Sequence, residues 1–266
     1  MQKIAIFGVP RSGTSWIGQL FNSSENVVYR YQPIFSYSFP NKIDASSSSE
    51  EIKFFHSKLL ATDDPFVCQK LNVSGKKTPE FPKGKLTHLV WKEVRYLEII
   101  ENLIQNSETK IIGIIRHPCG VIKSWVNAPK EFEESWNLIH EWRKAEKKNL
   151  TIHDYYGFDK WIETSNNLIE LSNRYSNKVI LVSYEKLIQD TNKELKRLFK
   201  FCSIKFTNQV REFISDSSTT ESDDPYDIFR NNKKIDEWKK VLPTQIIDEI
   251  LKDENFLEVK KYFDEL

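Results

Sequence analysis

The segment Ile4–Phe21 reads IAIFGVPRSGTSWIGQLF, and this stretch decides the expected fold. Its first four residues are apolar and suit a short buried strand, whereas Thr14–Phe21 carries apolar residues at helical spacing. The loop between them contains Gly8 and Gly13. Glycines let backbone N–H groups turn toward an anion, and the amino end of the helix adds partial positive charge. Strand, loop and helix in this order predict a phosphate-binding loop.

Strand-like runs alternate with helical patterns along the rest of the chain, which predicts an α/β fold with a central parallel sheet flanked by helices. The predicted strands are 4–7, 27–31, 86–91, 110–115 and 178–182. Helices are predicted at 14–21, 50–60, 96–104, 132–149, 158–175 and 194–201, after Pro118, and from residue 235 onward, with a polar irregular stretch at 216–232. Without an internal repeat or a clear boundary, the 266 residues predict one P-loop-like domain, 1–266.

Composition excludes several classes of partner. The net charge is +1, so nothing global favours nucleic acid or a membrane surface, and any anion site must be local. The three cysteines lack metal-ligand spacing, which predicts free thiols in a reducing compartment. No stretch approaches the roughly 18 uninterrupted apolar residues of a spanning helix. These features predict a cytoplasmic protein without stable membrane insertion.

Two substitutions separate this loop from that of nucleotide triphosphatases. Their pattern GxxxxGK[ST] has a lysine where this chain has Thr14. Their second strand usually ends in a magnesium-binding aspartate, whereas the apolar run 111–115 leads into Arg116. A cation there suits a second phosphate instead of a metal ion. We therefore predict a site without metal, which makes an ATP-dependent P-loop kinase the weaker alternative.

Two ordered motifs resemble those of the sulfotransferases that use 3′-phosphoadenosine-5′-phosphosulfate (PAPS). Residues 10–16, PRSGTSW, look like their 5′-phosphosulfate loop, and Arg116-His117-Pro118 with Ser124 looks like their 3′-phosphate motif. Eight residues separate Arg116 from Ser124, about two helical turns, so both side chains can converge on one phosphate. The resemblance implies the sulfotransferase fold, PAPS as cosubstrate, and transfer of its sulfuryl group to a hydroxyl with release of adenosine 3′,5′-bisphosphate (PAP).

The resemblance also implies which residues bind the donor. They are Arg11, Ser12, Gly13, Thr14, Ser15, Trp16, Arg116, Ser124, Tyr184 and Arg230. Arg11 contacts the 5′-phosphate or the moving sulfuryl group, and residues 12–15 supply backbone and hydroxyl donors. Trp16 and Tyr184 lie near adenine in this reading, with a core position as the alternative for each. Arg230 belongs to a basic segment before Trp238 that resembles the family's 3′-phosphate loop. The alternative is that this segment is a solvated run of charges.

A lysine and an acceptor base complete the implied chemistry. Lys92 stands 24 residues before Arg116, close to the family's spacing for a lysine that stabilises the leaving oxygen, and Lys77 is its weaker alternative. Together with Arg11 it is a predicted catalytic residue. The acceptor proton requires a positioned base. Glu93 follows Lys92 directly, but strand alternation puts neighbours on opposite faces unless the strand has ended there.

Two histidines are the other candidate bases. His88 shares the expected face of Lys92 but lies further from the donor, and His56 lies in the substrate segment. His117 is interpreted as a helix-start residue. The base therefore stays open among Glu93, His88, His56 or another residue.

The acceptor is indicated only indirectly. Residues 18–22 and 29–33 resemble the carbohydrate branch of the family, whose members carry an acidic residue where Gln32 stands. A neutral amide cannot act as a general base. Clustered aromatic residues also suit sugar stacking, so a saccharide or glycoconjugate hydroxyl is expected. A phenolic or other small-molecule alcohol is the alternative acceptor, and a catalytically inactive nucleotide-binding module is the alternative class.

Overall fold

A computed structural model describes residues 1–40, 42–71, 74–219, 224, 226 and 235–265. Its strands are β1 (Gln2–Phe7), β2 (Val27–Tyr31), β3 (His88–Glu93), β4 (Lys110–Ile115) and β5 (Val179–Ser183). They form one sheet in the order β2-β3-β1-β4-β5, and every neighbouring pair is parallel. Because β1 is central, the loop that follows it opens at the middle of the sheet's carboxyl edge.

Helices cover the sheet and supply the connections between its strands. They are α1 (Thr14–Asn22), α2 (Ser49–Ala61), α3 (Ile100–Asn106) after a 3-10 turn (Leu97–Ile99), α4 (Pro118–Val126), α5 (Leu138–Glu141), α6 (Gly157–Arg174), α7 (Tyr184–Gln189), α8 (Thr191–Phe201), α9 (Asn208–Thr219), α10 (Trp238–Val241), α11 (Thr244–Lys252) and α12 (Glu254–Glu265). The predicted parallel α/β fold is confirmed.

The alternation of β1 divides the core into two layers. Ile4 and Ile6 belong to the cluster that contains α1, whereas Ala5 and Phe7 belong to the cluster on the other face of the sheet. All four of these side chains are fully buried. A strand buried on both faces reads as a continuous apolar run, which is why residues 4–7 could be recognised.

Local capping explains two helix starts. Ser48 and Glu51 form a reciprocal capping box at the start of α2. The side chain of His117 accepts a hydrogen bond from the N–H of Cys119 at 3.3 Å, with Pro118 in the first turn of α4. His117 is thus the helix-start residue that the sequence predicted.

The predicted long helix over 132–149 is wrong. Only α5 is helical there, and Ala145 has a left-handed φ of 52°. Trp125, Phe132, Ala145 and Tyr156 form a small separate core, which folds the segment back on α4. Apolar residues at helical spacing fit this cluster of turns equally well, so periodicity alone misassigned the segment.

None of the helices in the described ranges combines the length and apolar content needed to cross a membrane. The three cysteines are free, as predicted; Cys119 and Cys202 are buried and Cys68 is half-buried. These thiols have no part in the site described below.

Candidate active site

The carboxyl ends of the parallel strands bring the predicted site residues to one edge of the sheet, where α/β proteins commonly bind ligands. A cavity of about 430 Å³ opens there. Of the predicted residues, its lining includes Arg11, Gly13, Thr14, Ser15, Trp16, Lys92, Arg116, Ser124 and Tyr184. Residue pairs as far apart in sequence as Thr14 and Lys92 (78 positions) and Arg11 and Ser124 (113 positions) therefore face one space.

The loop reaches α1 through left-handed backbone. Arg11 has φ 71° and Gly13 has φ 98°. The N–H and hydroxyl of Ser12 both donate to the carbonyl of Val9, at 3.2 and 2.7 Å. The hydroxyl of Ser12 therefore closes the turn, which corrects its predicted role as a donor to the anion.

The amino end of α1 supplies the anion-facing groups of the loop. The first N–H groups of a helix, here those of Thr14 and Ser15, have no partner within the helix. The positive end of the helix dipole adds to them. Both residues line the cavity, so the arrangement suits a phosphate or a sulfate.

Gly13 is expected to be required in this loop. A Cβ there would lie 2.5 Å from the ring of Tyr184, in addition to the strain of a positive φ. We expect Gly13→Ala to lower the free energy of unfolding by about 2–4 kcal/mol, from strain and overpacking together, as measured by urea denaturation. Gly75→Ala is the matched control, because Gly75 has φ 82° with nothing within 4 Å of its Cβ position. Equal losses in the two variants would contradict the assigned contact.

The two predicted anion motifs converge through their arginines. The guanidinium of Arg116 donates to the carbonyl of Arg11 at 3.1 Å. Nε of Arg11 donates in turn to Oγ of Ser124 at 3.2 Å. Arg116 also lies 4.3 Å from the centre of the Tyr184 ring, an arrangement typical of a cation–π contact. The 5′-loop and the proposed 3′-phosphate pair thus form one continuous cationic surface.

Trp16 and Tyr184 border this surface. Their rings meet edge to face, with centroids 6.2 Å apart. The Nε1–H of Trp16 is buried, and none of the residues whose placement is described accepts its proton. Buried indole N–H groups usually have a partner, so a ligand acceptor in the cavity would satisfy this one. The structure therefore makes Trp16 both a core residue and a cavity residue.

Lys92 is the buried cation of the site. It is only 1% exposed, and its Nζ lies 3.5 Å from Oγ1 of Thr14 and 4.2 Å from the centre of the Tyr31 ring. Burial lowers the pKa of Lys92, and the nearby carboxylates of Glu93 and Glu131 oppose that shift. A desolvated amine beside the anion loop is suited to stabilise negative charge that develops there. Lys77, its weaker alternative, is exposed and outside this cavity's lining.

Glu93 does not share the position of Lys92. β3 continues through Glu93 and pairs it with Phe7, so its side chain lies on the opposite face of the sheet. Its carboxylate accepts hydrogen bonds from the N–H groups of Ile34, Phe35 and Val94 at 3.1 to 3.3 Å. Burial raises the pKa of Glu93. The predicted role as base is thus replaced by a structural one, in which Glu93 fixes the loop after β2.

The two candidate histidines lie away from the donor loop. His88 shares the face of Lys92, but at the other end of β3, about 13 Å along the strand. Its ring nitrogens contact Oγ1 of Thr87 at 2.8 Å and the carbonyl of Cys202 at 3.1 Å. His56 packs near Trp91, with ring centroids 6.4 Å apart, and burial lowers its pKa to about 4. Their placement favours structural roles for both.

Two other predicted features are Gln32 and the basic segment that contains Arg230. Gln32 lines the cavity with φ 40°, and its N–H donates to the carbonyl of Lys92 at 2.9 Å. Arg230 and its basic neighbours lie outside the described residues, so their role stays a prediction. Trp238, which follows them, stacks on His117 with centroids 4.7 Å apart.

The sequence did not indicate Glu131, which the structure places in the cavity. Its Oε1 lies 3.5 Å from Nη1 of Arg11, and its Oε2 is buried without a hydrogen-bond partner in the described ranges. The backbone is held by Trp125, whose indole N–H donates to the carbonyl of Glu131 at 2.9 Å. Glu131 is a loop residue without a motif, so no signal in one sequence could have selected it.

The parallel sheet, the glycine loop and the cationic cavity define a class of α/β proteins that hold an anionic ligand at a P-loop-like turn. Comparison with known proteins is more specific. The sulfotransferase domain family matches residues 1–251, and the chain belongs to this family.

Relatives and solved structures agree with this assignment. The chain is 22% identical over 244 residues to "Cytosolic sulfotransferase 14" of Arabidopsis thaliana, covering 89% of this chain and 65% of that protein. It is 25% identical over 240 residues to "Cytosolic sulfotransferase 15" of the same plant, covering 87% and 61%. The chain thus spans less than two thirds of the length of these relatives. The structure of mouse sulfotransferase SULT7A1 complexed with PAP aligns over 100% of this chain and 89% of that chain, with a TM-score of 0.56 and 14% identity.

Proposed function

We propose that this protein transfers a sulfuryl group from PAPS to the hydroxyl of a small-molecule acceptor. The observation that carries the proposal is the convergence of the anion loop with Arg116 and Ser124 in one cavity. Such a cavity provides for two anionic groups on one ligand. Family membership and the PAP complex of the mouse structure support the same donor.

The residues present fit this donor chemically. The amino end of α1 and Arg11 would hold the 5′-phosphosulfate, and Arg116 and Ser124 the 3′-phosphate. The buried Nε1–H of Trp16 would find its acceptor on the nucleotide. In the described part of the chain no group of three His, Cys, Asp or Glu residues suits a metal ion. Arg11, Lys92 and Arg116 line the cavity and would balance the donor's charge.

The selectivity for PAP over adenosine 5′-monophosphate (AMP) tests the 3′-phosphate pair. We expect the wild type to bind PAP roughly 10- to 100-fold more tightly than AMP, because charged hydrogen bonds contribute about 1.5–3 kcal/mol. Arg116→Met should bring the two dissociation constants, measured by calorimetry, close together. Arg174→Met is the control, since Arg174 is exposed and pairs with Glu101 on the helical surface. A variant that retains the preference for PAP would contradict the assignment of Arg116.

In the transfer step, the acceptor oxygen forms a bond to sulfur while the bond between sulfur and the bridging phosphate oxygen breaks. PAP leaves with the electron pair, and the acceptor proton passes to a base. Lys92 and Arg11 would stabilise the charge that develops at the anion loop. Glu131 is the carboxylate that lines the same cavity, with Oε2 unpaired among the described residues. We assign the base to Glu131.

The acceptor side of the cavity is lined mainly by aromatic and apolar side chains, together with the polar side chains of Gln32, Gln69 and Arg95. Phe66 meets Tyr31 with centroids 5.3 Å apart and Phe35 with centroids 6.1 Å apart, and Leu71 and Val94 complete the wall. Such a wall suits a phenol or an alcohol with an apolar ring better than the many hydroxyls of a saccharide. The names of the plant relatives favour a cytosolic location. A saccharide is thus the less favoured acceptor.

A further inference from the structure

A buried chain of side-chain amides leads from the surface to the acceptor side of the cavity. Nδ2 of Asn22 donates to Oε1 of Gln19 at 2.9 Å, and Nε2 of Gln19 donates to Oε1 of Gln69 at 2.8 Å. Gln19 is 1% exposed and Gln69 is 4% exposed. Gln69 lines the cavity, so the chain ends there.

The direction of this chain is fixed at its outer end by Lys83. Its Nζ lies 3.1 Å from Oδ1 of Asn22 and also donates to the carbonyls of Asn22 and Ser24. Desolvation lowers the pKa of Lys83 to about 8, so the group is still an ammonium at neutral pH. An ammonium only donates, and the Asn22 atom that faces it must therefore be the oxygen.

The orientation of each following amide then has one solution. Asn22 has only its NH₂ group left for Gln19, which must accept with Oε1 and donate onward with Nε2. Gln69 accepts that bond with Oε1, so its own NH₂ group faces away from Gln19. None of the described residues accepts a hydrogen bond from this NH₂ group.

The location of Gln69 places this donor on the acceptor side. The N–H of Tyr31, at the end of β2, donates to the carbonyl of Val67 at 2.7 Å, which ties segment 66–71 to the β2 edge of the sheet. Arg116 and Tyr184 follow β4 and β5, on the other side of the central strand. Phe66 and Leu71, which flank Gln69 in sequence, belong to the apolar wall.

We propose that Gln69 is a specificity-determining residue that donates an N–H to an oxygen of the acceptor, which is a ring alcohol or phenol carrying a second, hydrogen-bond-accepting oxygen. Lys83 is a positioning residue, because it acts through Asn22 and Gln19. This inference rests on the proposed function and makes the acceptor class narrower.

Binding of matched phenols to the PAP-loaded protein tests the inference without requiring turnover. Two triads of phenols serve as ligands, and the members of one triad differ only in the group remote from the phenol hydroxyl. The first triad is estrone, estradiol and 17-deoxyestrone. The second, shorter triad is 4-hydroxyacetophenone, 4-(1-hydroxyethyl)phenol and 4-ethylphenol. At this remote group the ketone only accepts hydrogen bonds, the alcohol both accepts and donates them, and the third compound has no hydrogen-bonding group. We expect the wild type to bind the ketone and alcohol of at least one triad about tenfold more tightly than the third compound.

Variants of Gln69 then give opposite patterns. Gln69→Leu should bind all three members of that triad within about twofold of each other. Gln69→Glu should prefer the alcohol, because a carboxylate facing the cavity accepts a bond and repels the ketone oxygen. Lys83→Met should reduce the preference for the ketone over the third compound, since the donors and acceptors of the amide chain can then reverse. Gln245→Leu on the exposed surface of α11 is the matched control and should retain the wild-type pattern.

PAP affinity separates failure of this inference from failure of the proposed function. We expect the Gln69 and Lys83 variants to bind PAP as the wild type does. Loss of PAP affinity in Gln69→Leu would place Gln69 at the donor and overturn the inference. It is also overturned if the wild type binds no member of either triad, or if Gln69→Leu retains the preference. Absence of PAP binding by the wild type would instead refute the proposed function.

Discussion

Replacement of Lys92 by methionine is expected to lower kcat by about 10²–10³-fold, the usual effect of removing one group that stabilises transition-state charge. Methionine keeps the length of the side chain beside Tyr31 and removes only the charge. Because a desolvated cation weakens the folded state, the free energy of unfolding should stay the same or rise. PAP affinity should change far less than kcat, since the interaction strengthens as charge develops on the leaving oxygen.

Steady-state kinetics, calorimetry with PAP and urea denaturation measure these three quantities. Lys110→Met is the matched control, because the amine of Lys110 also lies over an aromatic ring, that of Phe201 at 4.6 Å, but at the amino end of β4. It should leave kcat unchanged. A Lys92→Met protein with wild-type kcat would contradict the assigned role.

The same lysine predicts a pH dependence. Burial lowers the pKa of Lys92, so the ammonium is lost as the pH rises through a value below that of an ordinary lysine. kcat/KM, which reports groups of the free enzyme, should therefore decline earlier on the alkaline side than an unperturbed lysine would allow. Lys92→Arg stays charged over this pH range. It should therefore remove the early alkaline decline in kcat/KM, even where its kcat is below that of the wild type.

The second large effect is expected for Glu131→Gln. Loss of a positioned base typically costs about 10²–10⁴-fold in rate, and we expect a decrease of this size in kcat with an ordinary phenol or alcohol. The amide keeps the shape of the side chain, so PAP affinity should stay within about threefold of the wild type. Glu133→Gln, at an exposed position two residues on, is the control and should be fully active.

The acidity of the acceptor distinguishes a base from a structural role. 4-Nitrophenol is largely ionised at mildly alkaline pH and needs no base, so Glu131→Gln should lose little activity with it. A variant impaired equally with 4-nitrophenol and with 4-ethylphenol would show that Glu131 acts through Arg11 or the loop. Unchanged kcat with both acceptors would exclude Glu131 from the reaction.

The anion loop and the arginine that follows β4 could be predicted because each depends on local sequence. A buried apolar run of four to six residues followed by a glycine turn, or by Arg116, has few other interpretations. The face of Glu93 also followed from strand alternation, once β3 was seen to include it. The donor-binding role of Arg230, which the family resemblance implied, stays a prediction.

Glu131 and Gln69 could not be predicted, because tertiary packing selects them. Glu131 reaches the cavity only because the small core around Trp125 replaces the predicted helix. Gln69 is significant only through Lys83 and Asn22, which lie 14 residues after it and 47 residues before it in sequence. Loop side chains of this kind carry no periodic pattern, and the acceptor side of the cavity consists mainly of them.

Incubation of the full chain with PAPS and a panel of phenols, ring alcohols and saccharides tests the central claim most directly. We predict a sulfated product and an equal amount of PAP, with phenols or ring alcohols preferred over saccharides. PAP binding without turnover on any acceptor would indicate a catalytically inactive nucleotide-binding module. Absence of binding to both PAPS and PAP, or transfer of phosphate from magnesium ATP instead, would contradict the account.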